Sequence, residues 1–241
     1  MAFCLIPLLP ITALVLFGYT TIRFTAGRRK GKAHIACVGD SLTYGCALPL
    51  FFCCRYPAVL QRRLGPEVQT AVFAVNYRTL QNTGNKPFRR ERAFRQSKAF
   101  GPETVVILLG TNDAKEKNWI SAEAFRQEYA ALIAEYRALG TVSRVILCTP
   151  PCGFKPAPAF FFVSDEAMRR RLPAVAEEVR AVAEAEGAEL VDLYAKTAGH
   201  WELFSPDGLH PNAAGARMIA ETIDRQLKRK PDGHRENGKD E

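Results

Sequence analysis

The sequence predicts an α/β fold, a three-layer α/β/α sandwich built on a five-stranded parallel sheet. Three observations predict it. Five short apolar runs, at 34–38, 70–75, 104–109, 143–149 and 189–193, have the length of buried strands. Stretches with helical spacing of apolar residues alternate with them, and that alternation implies parallel strands covered by helices on both faces. The chain has 241 residues with 47% apolar content, enough for one domain with a substantial core. In such a fold, ligands meet the carboxyl ends of the strands.

The elements follow in order. From Met1 to Ile22 no side chain is charged, and Leu5, Ile6, Leu8, Leu9, Ile11, Leu14, Val15, Leu16 and Phe17 dominate. About 20 apolar residues suffice to span a bilayer as a helix, although Pro7 and Pro10 disturb its early turns. The basic residues that precede the apolar stretch of a cleaved signal are missing, and Arg23, Arg28, Arg29, Lys30 and Lys32 follow it instead. The expectation is a hydrophobic anchor with a basic flank over 1–32, membrane-associated, with the domain on the cytoplasmic side. The alternatives are export and a soluble protein with an apolar N-terminal core helix.

The first run, His34 to Val38, leads into Gly39-Asp40-Ser41-Leu42, and the third, Thr104 to Leu109, into Gly110-Thr111-Asn112-Asp113. An amphipathic helix follows, with Phe125, Tyr129, Leu132, Ile133, Tyr136 and Leu139 on one stripe, Ser121 as N-cap and Gly140 as its stop. Residues 165–186 form a second helical stretch, where Pro173 argues for a kink or two shorter helices. The last helix starts near Pro211 and carries Met218, Ile219, Ile223 and Leu227 inward. The domain therefore covers 33–229, and the polar tail 230–241 reads as disordered.

Composition narrows the function. The net charge of +8 sits mainly at the ends, since residues 1–32 hold five basic and no acidic residues. About +2 remains for the central domain, which lacks the electrostatic footprint of a nucleic-acid binder. Seven cysteines, with Cys53 and Cys54 adjacent, give neither a secreted disulfide framework nor zinc-binding spacing. Cys37 and Cys148, inside apolar runs, read as small buried hydrophobes. Four scattered histidines make a metal site improbable, and no cofactor motif is present.

Chemistry concentrates in two distant segments. Ser41 directly follows a strand-like run, and Asp207-Gly208-Leu209-His210 places an acid and an imidazole three residues apart. A serine hydroxyl becomes a nucleophile when a base removes its proton, and the base works best when a carboxylate holds its tautomer. These segments hold all three parts. No G-x-S-x-G elbow surrounds Ser41.

With Gly39-Asp40-Ser41-Leu42-Thr43-Tyr44-Gly45, Gly110-Thr111-Asn112-Asp113 and Asp207-Gly208-Leu209-His210-Pro211, the chain resembles the SGNH (GDSL-type) esterase family over residues 34–228. The resemblance implies a flavodoxin-like sheet, Ser41 as nucleophile, His210 as base and Asp207 as the residue orienting it. Asn112 would donate its amide to the oxyanion beside the N–H groups of Ser41 and Ala74. The second block departs from the family pattern. In Val72-Phe73-Ala74-Val75-Asn76-Tyr77-Arg78-Thr79, Ala74 and Tyr77 fill two positions that are glycine in the family.

The expected function is a serine esterase acting on short-chain or acetyl esters, carbohydrate esters among them, with a small-molecule ester as partner. The alternatives are a membrane-associated lysophospholipase or thioesterase, and a non-catalytic binding module that kept the fold. Asp113 reads as a structural hydrogen-bonding partner, His200 as a surface residue and Arg78 as solvated. Leu48 to Phe52 and Phe160 to Phe162 read as core or lid packing.

Overall fold

The computed structural model describes residues 28–160 and 165–229. The expected anchor at 1–22, Phe161, Phe162 and the polar tail from Lys230 lie outside the described residues. Along the chain come β1 (Ala33–Gly39), α1 (Ser41–Tyr44), α2 (Phe51–Cys54), α3 (Tyr56–Leu64), β2 (Val68–Ala74), α4 (Arg92–Ala99), β3 (Thr104–Leu108) and α5 (Ala122–Arg137). They continue with β4 (Arg144–Cys148), α6 (Glu166–Ala185), β5 (Glu189–Val191), α7 (Leu193–Thr197) and α8 (Ala213–Lys228).

The five strands are parallel in the order β2-β1-β3-β4-β5, with Gly39 opposite both Ala74 and Leu108. Successive side chains of a strand face opposite sides, so each strand feeds two cores. Ile35, Cys37, Val106, Leu108, Ile146 and Cys148 pack with Leu60 of α3 and Ile219 and Ile223 of α8. Ala36, Val38, Val105, Ile107, Val145 and Leu147 pack on the other face with Phe94 of α4, Leu132 of α5 and Val175 of α6. This is why the runs read as continuously apolar. Each fully buried aliphatic side chain contributes about 1.5–3 kcal/mol.

The helix boundaries have local causes. The Ser121 hydroxyl accepts from the Ala124 N–H at 3.0 Å and starts α5, and Gly140, at φ +69°, ends the turn that follows it. The side chain of Asn212 accepts from the N–H groups of Ala214 and Gly215, so α8 begins just past Pro211. Helix α6 is one helix running through Pro173, not two. An internal proline costs about 3 kcal/mol. The buried Met168, Leu172, Val175, Ala176 and Val179 flank it on one face and offset that cost.

Packing explains only part of the 48–52 segment. Leu48 is buried, but Leu50 and Phe52 are 64% and 54% exposed. Cys37 and Cys148 are buried free thiols. At the amino end of the sheet, Arg28 donates to Glu103 at 3.1 Å and the Arg29 N–H to the Gln69 side chain at 2.8 Å. The basic flank thus meets the rim opposite the one that carries Ser41 and Asn112.

Candidate active site

Strand β1 delivers the chain to the sheet's carboxyl edge, where the strand order switches direction between β1 and β3. Gly39 makes the turn possible. A Cβ there would lie 2.2 Å from the Thr43 hydroxyl oxygen and 2.6 Å from the Leu108 carbonyl oxygen. Asp40 then caps α1, its Oδ1 accepting from the Leu42 N–H at 3.0 Å. Ser41, the first residue of α1, is buried.

After β3 the chain tightens at Gly110, whose carbonyl accepts from the N–H groups of Asp113 and Ala114. Asn112 Nδ2 donates to Asp40 Oδ2 at 3.0 Å and to the Arg78 carbonyl at 3.2 Å. The Asn118 side chain donates to the Asn112 carbonyl at 2.7 Å and fixes the turn. Asp113 accepts from the N–H groups of Leu80 and Gln81, both at 2.9 Å, and ties down the segment after β2. It is a structural partner, as its sequence context suggests.

The third segment precedes α8. His210 Nε2 lies 2.9 Å from Ser41 Oγ, and His210 Nδ1 lies 2.8 Å from Asp207 Oδ2. The other Asp207 oxygen accepts from the N–H groups of Leu209 and His210, both at 2.9 Å. The three-residue spacing thus closes a turn with both side chains on one side. Gly208 has φ +68°, and a Cβ there would stand 2.3 Å from the Phe154 carbonyl oxygen. The chain at Phe154 returns the contact, its N–H donating to the Gly208 carbonyl at 2.7 Å.

Three buried carboxyl groups share this rim and differ in proton affinity. Burial pushes the Asp207 carboxyl up, but the His210 ring and the N–H groups of His210 and Leu209 outweigh it, leaving it below its ordinary value. For Asp40 burial wins, raising the carboxyl to about 7 despite the Leu42 N–H. Burial likewise raises Asp113 to about 6 against the donors from Gln81 and Leu80.

The segment after β2 departs from expectation. Ala74 is the last residue of β2, opposite Gly39, and the Val75 N–H donates to the Gly39 carbonyl at 3.2 Å. Main-chain groups of a parallel strand alternate in direction. The Ala74 N–H therefore points away from β1 and is not brought toward the Ser41 hydroxyl. Tyr77, by contrast, has φ +66°, in the left-handed region that favours glycine. Of the remaining sequence candidates, His200 is exposed beside Glu202, and Arg78 pairs with Glu91 at 2.7 Å.

Sequence reasoning missed the Asp40–Asn112 hydrogen bond. The available signal was an acid next to Ser41 and an amide, both at carboxyl ends of adjacent strands. It also missed Asn118, which no motif marks. Among the described residues, no group of three His, Cys, Asp or Glu side chains is placed to hold a metal ion.

A model of the GDSL-like lipase/acylhydrolase family matches residues 37–218. An acetylxylan esterase of Xylanibacter ruminicola is 32% identical over 217 residues, 83% of this chain and 44% of that protein. The chain thus spans less than half the length of that relative. Among solved structures, an aryl esterase of M. smegmatis superposes with a TM-score of 0.64 at 23% identity, covering 81% of this chain and 98% of that one. A carbohydrate acetylesterase from Sinorhizobium meliloti gives 0.65 at 19% identity, with coverage of 81% and 98%. At these identities the two structures establish the shared fold alone. The family match runs from inside β1 to inside α8, through the whole sheet and all three site segments, and the chain therefore belongs to the GDSL-like lipase/acylhydrolase family.

Proposed function

We propose that this chain is a serine esterase whose substrates are short acyl esters, acetyl esters of carbohydrates above all. The observation that carries the reading is the unbroken path from the Ser41 hydroxyl through the His210 ring to Asp207, at 2.9 and 2.8 Å. In this reading, Ser41 Oγ attacks the ester carbonyl as His210 Nε2 takes its proton, and Asp207 stabilises the imidazolium. His210 then protonates the departing alcohol. Water, activated by the same ring, attacks the acyl-serine and releases the acid.

The oxyanion is held by the Ser41 N–H and by Asn112 Nδ2. In the resting site both Asn112 amide hydrogens are engaged, one by Asp40 and one by Arg78. The oxyanion takes over the hydrogen now directed at the Arg78 carbonyl, the longer of the two bonds. A further main-chain donor comes from the turn at 75–78 rather than from Ala74. Losing one such donor typically costs about 100- to 1,000-fold in rate. The acetyl and carbohydrate preference is supported by the likeness to the Xylanibacter acetylxylan esterase.

The test is labelling with a fluorophosphonate probe, followed by mapping of the modified peptide and assay on p-nitrophenyl esters of increasing chain length. The expected result is a single adduct on Ser41, loss of turnover in Ser41→Ala, and acetate preferred over longer acyl groups. An adduct elsewhere would remove Ser41 from its role. No adduct and no serine-dependent hydrolysis would favour a binding module, and a preference for long chains would remove the acetyl assignment.

A further inference from the structure

The turns that follow β2 and β3 meet around one aromatic ring. Lys86 Nζ lies 5.6 Å from the centroid of the Tyr77 ring, and Lys115 Nζ lies 5.7 Å from it. Tyr77 is 52% exposed. Both turns touch the site. The carbonyl of Arg78, next to Tyr77, accepts from Asn112 Nδ2, and the Lys115 N–H donates to the Asn112 carbonyl at 3.3 Å.

Lys115 is half-buried, and among the described residues its ammonium meets no carboxylate at ion-pair distance but lies over the Tyr77 ring. Neighbouring cations are satisfied differently. Arg78 pairs with Glu91 at 2.7 Å, Arg89 with Glu128 at 2.9 Å, and Arg171 donates to the Ala114 carbonyl at 2.8 Å. A partly desolvated ammonium without a counter-charge is unfavourable, and a ring over its face recovers only part of the lost hydration. Burial lowers the proton affinity of Lys115; Lys117 and Lys86 push the same way, while Asp165 and Asp40 oppose them. The ring is also held at a backbone cost, since Tyr77 is a bulky residue at φ +66°. Strain of this kind gathers where a side chain must be presented in one place.

We propose that Tyr77, Lys86 and Lys115 form an anion subsite on the rim of the Ser41 pocket, taking a carboxylate or phosphate carried by the ester substrate close to the scissile bond. The proposal rests on the esterase reading and narrows its substrate class to negatively charged esters.

Two matched pairs of esters test it. Mono-p-nitrophenyl succinate against p-nitrophenyl butyrate places the charge on the acyl side. Para-acetoxybenzoate against its methyl ester places it on the alcohol side. At low salt, kcat/KM favours the anionic member of at least one pair, and that pair tells which side of the ester faces the lysines. The preference shrinks toward physiological ionic strength as the charges are screened. Combining Lys86→Gln with Lys115→Gln lowers the anionic-to-neutral ratio about tenfold, equivalent to about 1.4 kcal/mol.

A ratio untouched by both substitutions, or neutral esters favoured in both pairs, overturns the subsite. Titration calorimetry of the same esters against Ser41→Ala separates this outcome from failure of the esterase reading, because it needs no turnover. Tighter binding of an anionic ester, lost when both lysines are replaced, keeps the subsite even if the wild-type chain hydrolyses nothing. Equal binding of anionic and neutral esters removes it even if hydrolysis is brisk.

Discussion

Asp40→Asn is a nearly isosteric change at a place that tolerates none. One Asp40 oxygen accepts from the Leu42 N–H and the other from Asn112 Nδ2, both at 3.0 Å, and the side chain is fully buried. Above about pH 7 the ionised carboxyl accepts at both oxygens, whereas a carboxamide accepts at one and must turn its NH2 group toward the other donor. Facing Leu42, it removes the cap of α1 and leaves a buried N–H unmatched, at about 1–3 kcal/mol. Facing Asn112, it forces that side chain to rotate and removes the proposed oxyanion donor, at about 100- to 1,000-fold in kcat. The swap therefore costs at least one of these. Urea denaturation and p-nitrophenyl acetate hydrolysis on the same preparation read both. The pH dependence adds a second signature. The folded Asp40 carboxyl is raised from 3.8 to about 7, so the folded state holds a proton that the unfolded chain releases. Its contribution to stability is present below pH 3.8 and lost as pH rises through about 7, and Asp40→Asn should abolish that slope. A variant within about 0.5 kcal/mol of wild type, turning over normally and keeping the slope, would refute the two-donor account.

Gly39→Ala should be severely destabilising, by about 2 kcal/mol or more, because its Cβ would meet the Leu108 carbonyl at 2.6 Å and the branched carbon of Thr43 at 2.8 Å; thermal melting reads it. Asp207→Asn should keep the turn, since one oxygen still accepts from Leu209 and His210, but its NH2 would select the wrong imidazole tautomer; kcat falls about 10,000-fold with little change in Tm. Because the Asp207 carboxyl is held below its ordinary 3.8, its contribution to stability is present above that value and lost as pH falls through the depressed one. Acid titration of Asp207→Asn should therefore show a shallower loss than wild type.

The sheet was legible because strands buried on both faces have no polar positions to interrupt them. All five runs became strands, each within a few residues of its expected limits. Ser41, Asp207 and His210 were legible because their spacing mirrors the local turns that orient them. What the sequence hid depends on contacts between segments far apart in the chain. The Asp40–Asn112 bond spans 72 residues, and it can be foreseen only once β1 and β3 are known to be neighbours. Pro173 misled because helix breaking is a local tendency, while the apolar face of α6 is held by the sheet. The Ala74 N–H faces away from β1 for a related reason, since the direction of a strand N–H is set by register with its neighbour and not by residue type.

The two positions filled in place of glycine can be told apart by experiment. Ala74 lies within a strand, where any residue is comfortable and glycine is not, so Ala74→Gly should destabilise by about 0.5–1 kcal/mol. Tyr77 sits at φ +66°, where an L-residue costs about 1–2 kcal/mol, a cost Tyr77→Gly relieves. Against that relief stand the extra freedom of glycine in the unfolded chain, about 0.4–1 kcal/mol, and two ring–ammonium contacts on a ring open to solvent, of about 0.5–1 kcal/mol each. These terms nearly cancel. Tyr77→Gly should therefore cost no more stability than Ala74→Gly while lowering the preference for anionic esters, a function Ala74→Gly leaves in place. Denaturant midpoints and the paired-ester ratio measure the two effects on the same variants. If Tyr77→Gly were clearly the more destabilising and left the ester preference intact, Tyr77 would be a packing residue, and its left-handed backbone would have no tie to the two lysines.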